Sequence, residues 1–151
     1  MLKQSKQSFD NIDFLQDITP EAAAAYSGGL NTARGTILGG GVSRSEFNPD
    51  VVFYTGPNQT GQGYMVRAAT GEGLSNLVQA PTESPGGLVT AAEPNGFKAN
   101  DNFESVEIIR GQWLVTTDVN YRGRKGLARN IGKGDFAPGY DNSISSLARV
   151  G

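Results

Sequence analysis

The chain has 151 residues, with 13 basic and 15 acidic side chains and a net charge of −2, so no nucleic-acid surface is expected. It contains no cysteine and no histidine, which removes disulfides, thiolate chemistry, zinc fingers and any histidine-based triad. No apolar run approaches the roughly 20 residues that span a bilayer, and the 21 glycines point to many tight turns.

Within residues 1–29, Thr19-Pro20-Glu21 has the chemistry of a helix start: a hydroxyl N-cap, proline at the first helical position and an acid in the first turn. Ala22 to Ala25 propagate helix well, and Gly28-Gly29 stop it. On a helix, Leu15, Ile18, Ala23 and Tyr26 would form an apolar stripe. Counted back from Gly29, this stripe and the terminal Gly-Gly resemble a double-glycine leader peptide. Such leaders are recognised and cut by the cysteine-peptidase domain of a bacterial export transporter. The resemblance implies a cut after Gly29 and a secreted product, although Glu21 stands one residue from its usual leader position. An ordinary secretory signal is ruled against, because the apolar h-region is missing. The alternative is a short amphipathic helix docked on the domain of a cytoplasmic protein; the lack of cysteine fits either compartment.

Residues 30–50 carry Gly39-Gly40-Gly41 among Ser, Thr, Asn and Arg without a sustained period, the composition of a flexible linker. From residue 51 the chain becomes short strands separated by turns. Val51-Val52-Phe53-Tyr54 and Gly63-Tyr64-Met65-Val66 flank a Gly-Pro-Asn turn and predict a hairpin. Residues 74–95, rich in Pro, Gly, Ser and Thr, predict an exposed insertion loop, with a short helical turn around 72–77. Val106-Glu107-Ile108-Ile109 closes a first unit. Gln112-Trp113-Leu114-Val115-Thr116 opens a second, which turns through Asp118-Val119-Asn120 and closes with the alternating run from Ser145 to Val150. The predicted fold is an all-β sandwich of two Greek keys, motif one over 51–110 and motif two over 111–151.

A cluster of hard oxygen donors follows each hairpin. Asp141-Asn142-Ser143-Ile144-Ser145-Ser146 comes after Tyr121-Arg122-Gly123, and Asn100-Asp101-Asn102-Phe103-Glu104-Ser105 comes after the run from Tyr54 to Gly61. Hard oxygens at this density suit Ca²⁺, which takes six to eight oxygen ligands, some of them backbone carbonyls. With the Gly-x-Trp entry ending at Trp113, these segments closely resemble a microbial, calcium-binding βγ-crystallin domain. Its marks are an aromatic-x-Gly hairpin and an N/D-N/D-x-x-S/T-S calcium motif. Three positions depart: Gln59 and Thr116 replace hairpin aromatics, and Glu104 replaces a hydroxyl.

The resemblance implies two calcium sites, each shared across a pseudo-twofold axis. The Ser143 carbonyl and Ser145 hydroxyl would serve one side, the Asn102 carbonyl and Glu104 the other. Asp101 and Asn142 would supply crossing side chains, and Thr55 and Thr117 hairpin carbonyls. Asp141 and Asn100 would brace the loops, and the intact downstream cluster would be the better site. The alternative is that these residues make only Asx-turns and hydroxyl–backbone bonds.

Trp113 is expected to fill the core. Arg122, Arg124, Lys125, Arg129 and Lys133 are expected to form a solvated strand face rather than a basic patch. Gly132-Lys133-Gly134 lacks P-loop spacing, and nothing sets a catalytic separation between Asp118, Asp135 and Asp141. The expected function is a non-enzymatic, monomeric, exported calcium-binding protein. A bacteriocin-like toxin or inhibitor on the same fold and an intracellular stress or structural protein are the alternatives.

Overall fold

All four side chains of Val51-Val52-Phe53-Tyr54 are buried, so this strand is covered on both faces. Val51 and Phe53 enter the main core, while Val52 and Tyr54 join Phe47 and Met65 in a smaller cluster on the opposite face. The structure, a computed structural model, describes residues 16–18, 31–87, 89–91 and 98–151. Its strands are β1 (Gln16–Asp17), β2 (Asn31–Thr32), β3 (Arg34–Ile37), β4 (Val51–Tyr54), β5 (Gly63–Arg67), β6 (Glu72–Leu74) and β7 (Pro81–Glu83). They continue with β8 (Val89–Ala91), β9 (Ser105–Ile108), β10 (Trp113–Asp118), β11 (Arg122–Ala128), β12 (Gly132–Asp135) and β13 (Ser146–Arg149). One helical turn, α1 (Arg44–Phe47), precedes β4.

Two sheets, ordered β1-β11-β10-β13-β6-β2 and β12-β9-β4-β5-β3, enclose the main core, and β7 and β8 form a separate hairpin. The chain is an all-β sandwich whose two four-strand units repeat one connectivity. In the first, β4 pairs with both β5 and β9; in the second, β10 pairs with both β11 and β13. The third strand of each unit leaves its own sheet: β6 pairs with β13, and β12 pairs with β9. Trp113 is buried in the core, and its indole N–H donates to the Arg110 carbonyl at 2.8 Å.

Each hairpin is pinned in the same way. The Ser105 hydroxyl accepts from the Gln59 N–H at 2.9 Å and donates to the Gly56 carbonyl at 2.7 Å. The Ser146 hydroxyl accepts from the Tyr121 N–H at 3.1 Å and donates to the Asp118 carbonyl at 2.8 Å. Both tips are left-handed, at Asn58 and Gln59 and at Asn120 and Tyr121. Gly61 and Gly123 follow at positive φ, where a Cβ would strike the Thr55 and Thr117 hydroxyls that accept the Gln62 and Arg124 N–H groups. Tyr121 folds its ring toward β6, where a Cβ on Gly73 would meet the phenol oxygen at 2.6 Å. Burial there pushes its phenol up to about 12.

The structure corrects the boundaries ahead of residue 51. Residues 31–37 are not linker: β2 pairs in parallel with β6, and β3 pairs with β5. Thr36 donates to the Glu83 carbonyl at 2.6 Å, and Arg34 grips the Glu83 carboxylate through two bonds of 2.7 and 2.8 Å. Helix α1 is a capped turn, because the Ser43 hydroxyl takes the Glu46 N–H and the Glu46 carboxylate takes the Ser43 N–H, both at 3.1 Å. Phe47 buries against the outer face of β4 and β5, and Arg44 holds Glu107 of β9 at 2.8 Å. That guanidinium lowers the Glu107 carboxyl below its usual range.

Within the expected helical leader, Gln16–Asp17 is a strand, paired with Leu127 and Gly126 of β11. Residues 1–15 and 19–30, including the expected helix start and Gly28-Gly29, lie outside the described residues. The expected exposed loop over 74–95 is also corrected. Leu74, Leu77 and Ala80 are buried, β7 pairs with β8, and 72–77 holds strand β6 in place of a helical turn. A 3₁₀ turn follows at Leu77–Gln79; residues 88 and 92–97 lie outside the described set.

Because each serine satisfies backbone groups of its hairpin, Ser105→Ala should cost about 1–3 kcal/mol, and Ser146→Ala less, since the Thr116 hydroxyl also donates to the Asp118 carbonyl. Urea denaturation measures this. Losses under about 0.5 kcal/mol, the range of ordinary surface changes, would show that the hairpins are held by other contacts.

Candidate metal centre

The two oxygen-rich clusters run from loop into the closing strands, and the interlocking of the sheets lays them side by side. Asp101 and Asn142 hold equivalent places in the two motifs and both are left-handed, each at φ 55. Asx residues tolerate that conformation better than most. Their N–H groups cross between motifs: Asp101 donates to the Ile144 carbonyl at 3.0 Å, and Asn142 donates to the Phe103 carbonyl at 2.8 Å.

The side chains cross as well. The Ser145 hydroxyl donates to Asp101 Oδ1 at 2.9 Å, and Asn142 Nδ2 donates to Glu104 Oε2 at 3.4 Å. The closing residues are anchored to the hairpins beside the predicted carbonyl ligands. The Ser145 N–H donates to the Thr116 carbonyl at 2.9 Å, next to Thr117; the Glu104 N–H donates to the Tyr54 carbonyl at 2.8 Å, next to Thr55. The predicted donors thus gather in two groups. Asp101 and Ser145 meet near Thr117, and Asn142 and Glu104 meet near Thr55. Asn102 and Ser143 sit within the two loops, one residue before the carbonyls that receive the crossing N–H groups.

The groups differ in exposure. Ser145 is 5% exposed, whereas Asp101 and Asn142 are exposed and Glu104 half-buried. Asn102 donates through Nδ2 to the Lys98 carbonyl at 3.0 Å, and the Ser143 hydroxyl donates to the Asp141 carbonyl at 3.2 Å. Asn100 was expected to brace its loop, yet its Oδ1 is buried with no hydrogen-bond partner. A buried amide oxygen without a donor is costly.

Among the described residues, no three His, Cys, Asp or Glu side chains converge as metal ligands. Each crossing pair offers one carboxylate, with a hydroxyl or amide beside it, and would depend on carbonyls and water for further ligands. This donor set fits Ca²⁺ and excludes nitrogen- and sulfur-based zinc sites.

The closing serines of the motifs, Ser105 and Ser146, lie beside the predicted ligands and hold the hairpins; their repeated place at the end of each motif was the available signal. The basic face on β11 is only partly solvated. Arg124 lies 4.4 Å from the centre of the Tyr140 ring and pairs with Asp17.

No protein-family model and no curated protein matches the chain. A crystal structure of a βγ-crystallin domain from Flavobacterium johnsoniae is similar, with a TM-score of 0.43 and 22% identity, covering 66% of this chain and 91% of that one. No helix among the described residues is long and apolar enough to cross a membrane.

The crossing contacts predict how an ion, if bound at these pairs, would be shared. Asp101→Ala and Ser145→Ala should remove the same calcium-binding event in titration calorimetry, and the double variant should lose no more than either. Glu104→Ser should leave that event in place. Separate losses from Asp101→Ala and Ser145→Ala would show that the ligands do not cross.

Proposed function

We propose that this chain is a non-enzymatic, calcium-binding protein of βγ-crystallin type. The observation carrying the reading is the reciprocal crossing of Asp101 to Ser145 and Asn142 to Glu104. Each motif offers a side chain to the closing residue of the other, so an ion bound at either pair is held by both halves. Binding then opposes separation of the motifs. A site filled at a hundredfold excess over its dissociation constant stabilises the fold by about 2.7 kcal/mol.

Export is the second part of the proposal, with the bacterial transporter's peptidase cutting between Gly29 and Leu30. Its support is the sequence of residues 1–29. Outside the cell, calcium is abundant enough to fill a weak site.

Calcium should raise the melting temperature and a chelator should lower it, while Mg²⁺ does much less because it demands a small octahedral site. A melting curve unchanged at about ten times the millimolar limit for weak extracellular modules would leave these residues as turn formers only. Exported material should begin at Leu30, and a Gly28→Val, Gly29→Val variant should remain uncut. Normal export of that intact variant would refute the leader.

A further inference from the structure

Among the described residues, the double Greek key leaves four sheet edges, of which segments preceding β4 cover three. β1 lies on β11, β2 on β6 and β3 on β5. β2 and β3 belong to the continuous stretch that leads into β4. β1 does not: it is separated from β2 in sequence and lies at the opposite edge of the same sheet. Its hold on β11 is short among the described residues. Gln16 and Asp17 stand opposite Leu127 and Gly126, and the Ile18 N–H donates to the Lys125 carbonyl at 3.1 Å.

The side-chain contacts of β1 are more specific than its ladder. Arg124 Nε and Nη2 each donate to one Asp17 oxygen at 3.0 Å, a two-pronged grip on the carboxylate. The Tyr140 hydroxyl donates to the same carboxylate in a short bond. Arg124, and Tyr140 behind it, hold the Asp17 carboxyl below its usual range.

The cradle for this carboxylate belongs to the body of the domain. The Arg124 guanidinium packs over the Tyr140 ring, and its Nη1 donates to the Pro138 carbonyl at 3.1 Å. Gly139, at φ 97, leaves the space this group occupies, where a Cβ would collide with Nη1. The Tyr140 ring is anchored in the main core. These supports come from the second motif, so removal of β1 leaves them in place. Beside them runs the edge of β11, whose residues 126–128 are buried in the intact chain.

We propose that residues 16–18 are a masking strand: they cover in cis a docking edge on β11 that takes an extended peptide carrying an aspartate, with Arg124 and Tyr140 reading the carboxylate. The seated segment shows what the edge recognises, a strand with its carboxylate placed at Asp17. In the intact chain, the tether keeps this segment at high effective concentration and excludes competitors. The Asp17–Arg124 pair is exposed, at 59% and 45%, and such pairs contribute little alone. A severed segment is therefore held weakly and can be exchanged for another strand. Nothing in this proposal depends on calcium.

The test uses the full chain in chelator, with a labelled peptide of residues 13–20 followed by fluorescence anisotropy. Asp17→Ala with Ile18→Pro releases the mask, since it removes the carboxylate and the N–H that donates to Lys125. The peptide should bind this variant about tenfold more tightly than the unaltered chain, where the tethered strand competes. Adding Arg124→Ala should abolish the gain. Replacing aspartate by asparagine at the Asp17 position of the peptide should weaken binding about fivefold, because a charge-assisted bidentate pair is lost. Asp17→Asn alone, a milder change, should give a smaller gain in the same direction. Hydrogen exchange on β11 reports the mask independently. Amides still protected in the released variant would overturn the proposal, because residues 16–18 would not be held by these contacts. Unprotected amides without peptide binding, or equal binding of the asparagine peptide, would overturn it too.

Discussion

Neither motif keeps its own third strand. β6 is separated from β5 by a short turn, yet it hydrogen-bonds to β13, and β12 returns the exchange by pairing with β9. The inner face of each sheet is therefore built by both halves of the sequence. Neither half alone can bury its core side chains. Main-core residues such as Val51, Phe53, Trp113 and Leu147 come together only when the exchange is complete. This interlocking lays the two oxygen-rich loops side by side and lets Asp101 reach Ser145 while Asn142 reaches Glu104. The loops cross because the strands beside them do.

The hairpins make the exchange possible. Each must fold its tip back over the sheet, which leaves an N–H and a carbonyl away from the ladder. A serine hydroxyl can donate to one and accept from the other, so Ser105 and Ser146 satisfy both groups at once. The left-handed pairs at Asn58 and Gln59 and at Asn120 and Tyr121 are the conformational cost of the fold-back. Gln59 occupies the place of Tyr121 and reaches the Val106 carbonyl at 3.4 Å through its amide. A polar side chain thus substitutes for the expected aromatic by bonding to the strand beneath it.

Much of this was legible because its causes are local or repeated. The hairpin glycines, the closing serines and the apolar runs of β4, β5, β9, β10 and β13 recur at matched positions in the two motifs. Edge strands escaped the same reading. Nothing in Arg34-Gly35-Thr36-Ile37 alternates usefully, and its burial depends on distant partners: Glu83, and the Tyr64 hydroxyl that a Cβ on Gly35 would strike. Ser43 and Glu46 did carry a local signature, the capping box, but α1 is one turn long and leaves no helical period among the glycines before it. The buried part of β11 is Gly126-Leu127-Ala128, where two small residues flank one leucine. Its outer neighbour comes from more than a hundred residues earlier in the chain.

The N-terminal strands stand outside the interlocking and do different physical work. β2 and β3 extend the sheets and bury Ala33, Thr36 and Ile37, so their loss would expose core. Among the described residues, β1 adds a short ladder, an exposed ion pair and the Tyr140–Asp17 bond. Removing it would leave the exchanged strands, the serine pins and the crossing loops with their own contacts. What would change is the edge of β11. An unpaired edge presents donors and acceptors to any other strand, and Arg124, already held by Tyr140 and the Pro138 carbonyl, makes this edge selective for acid. β1 thus bears on what the domain can associate with, while the two motifs, with β2 and β3 on their edges, bear on whether it folds.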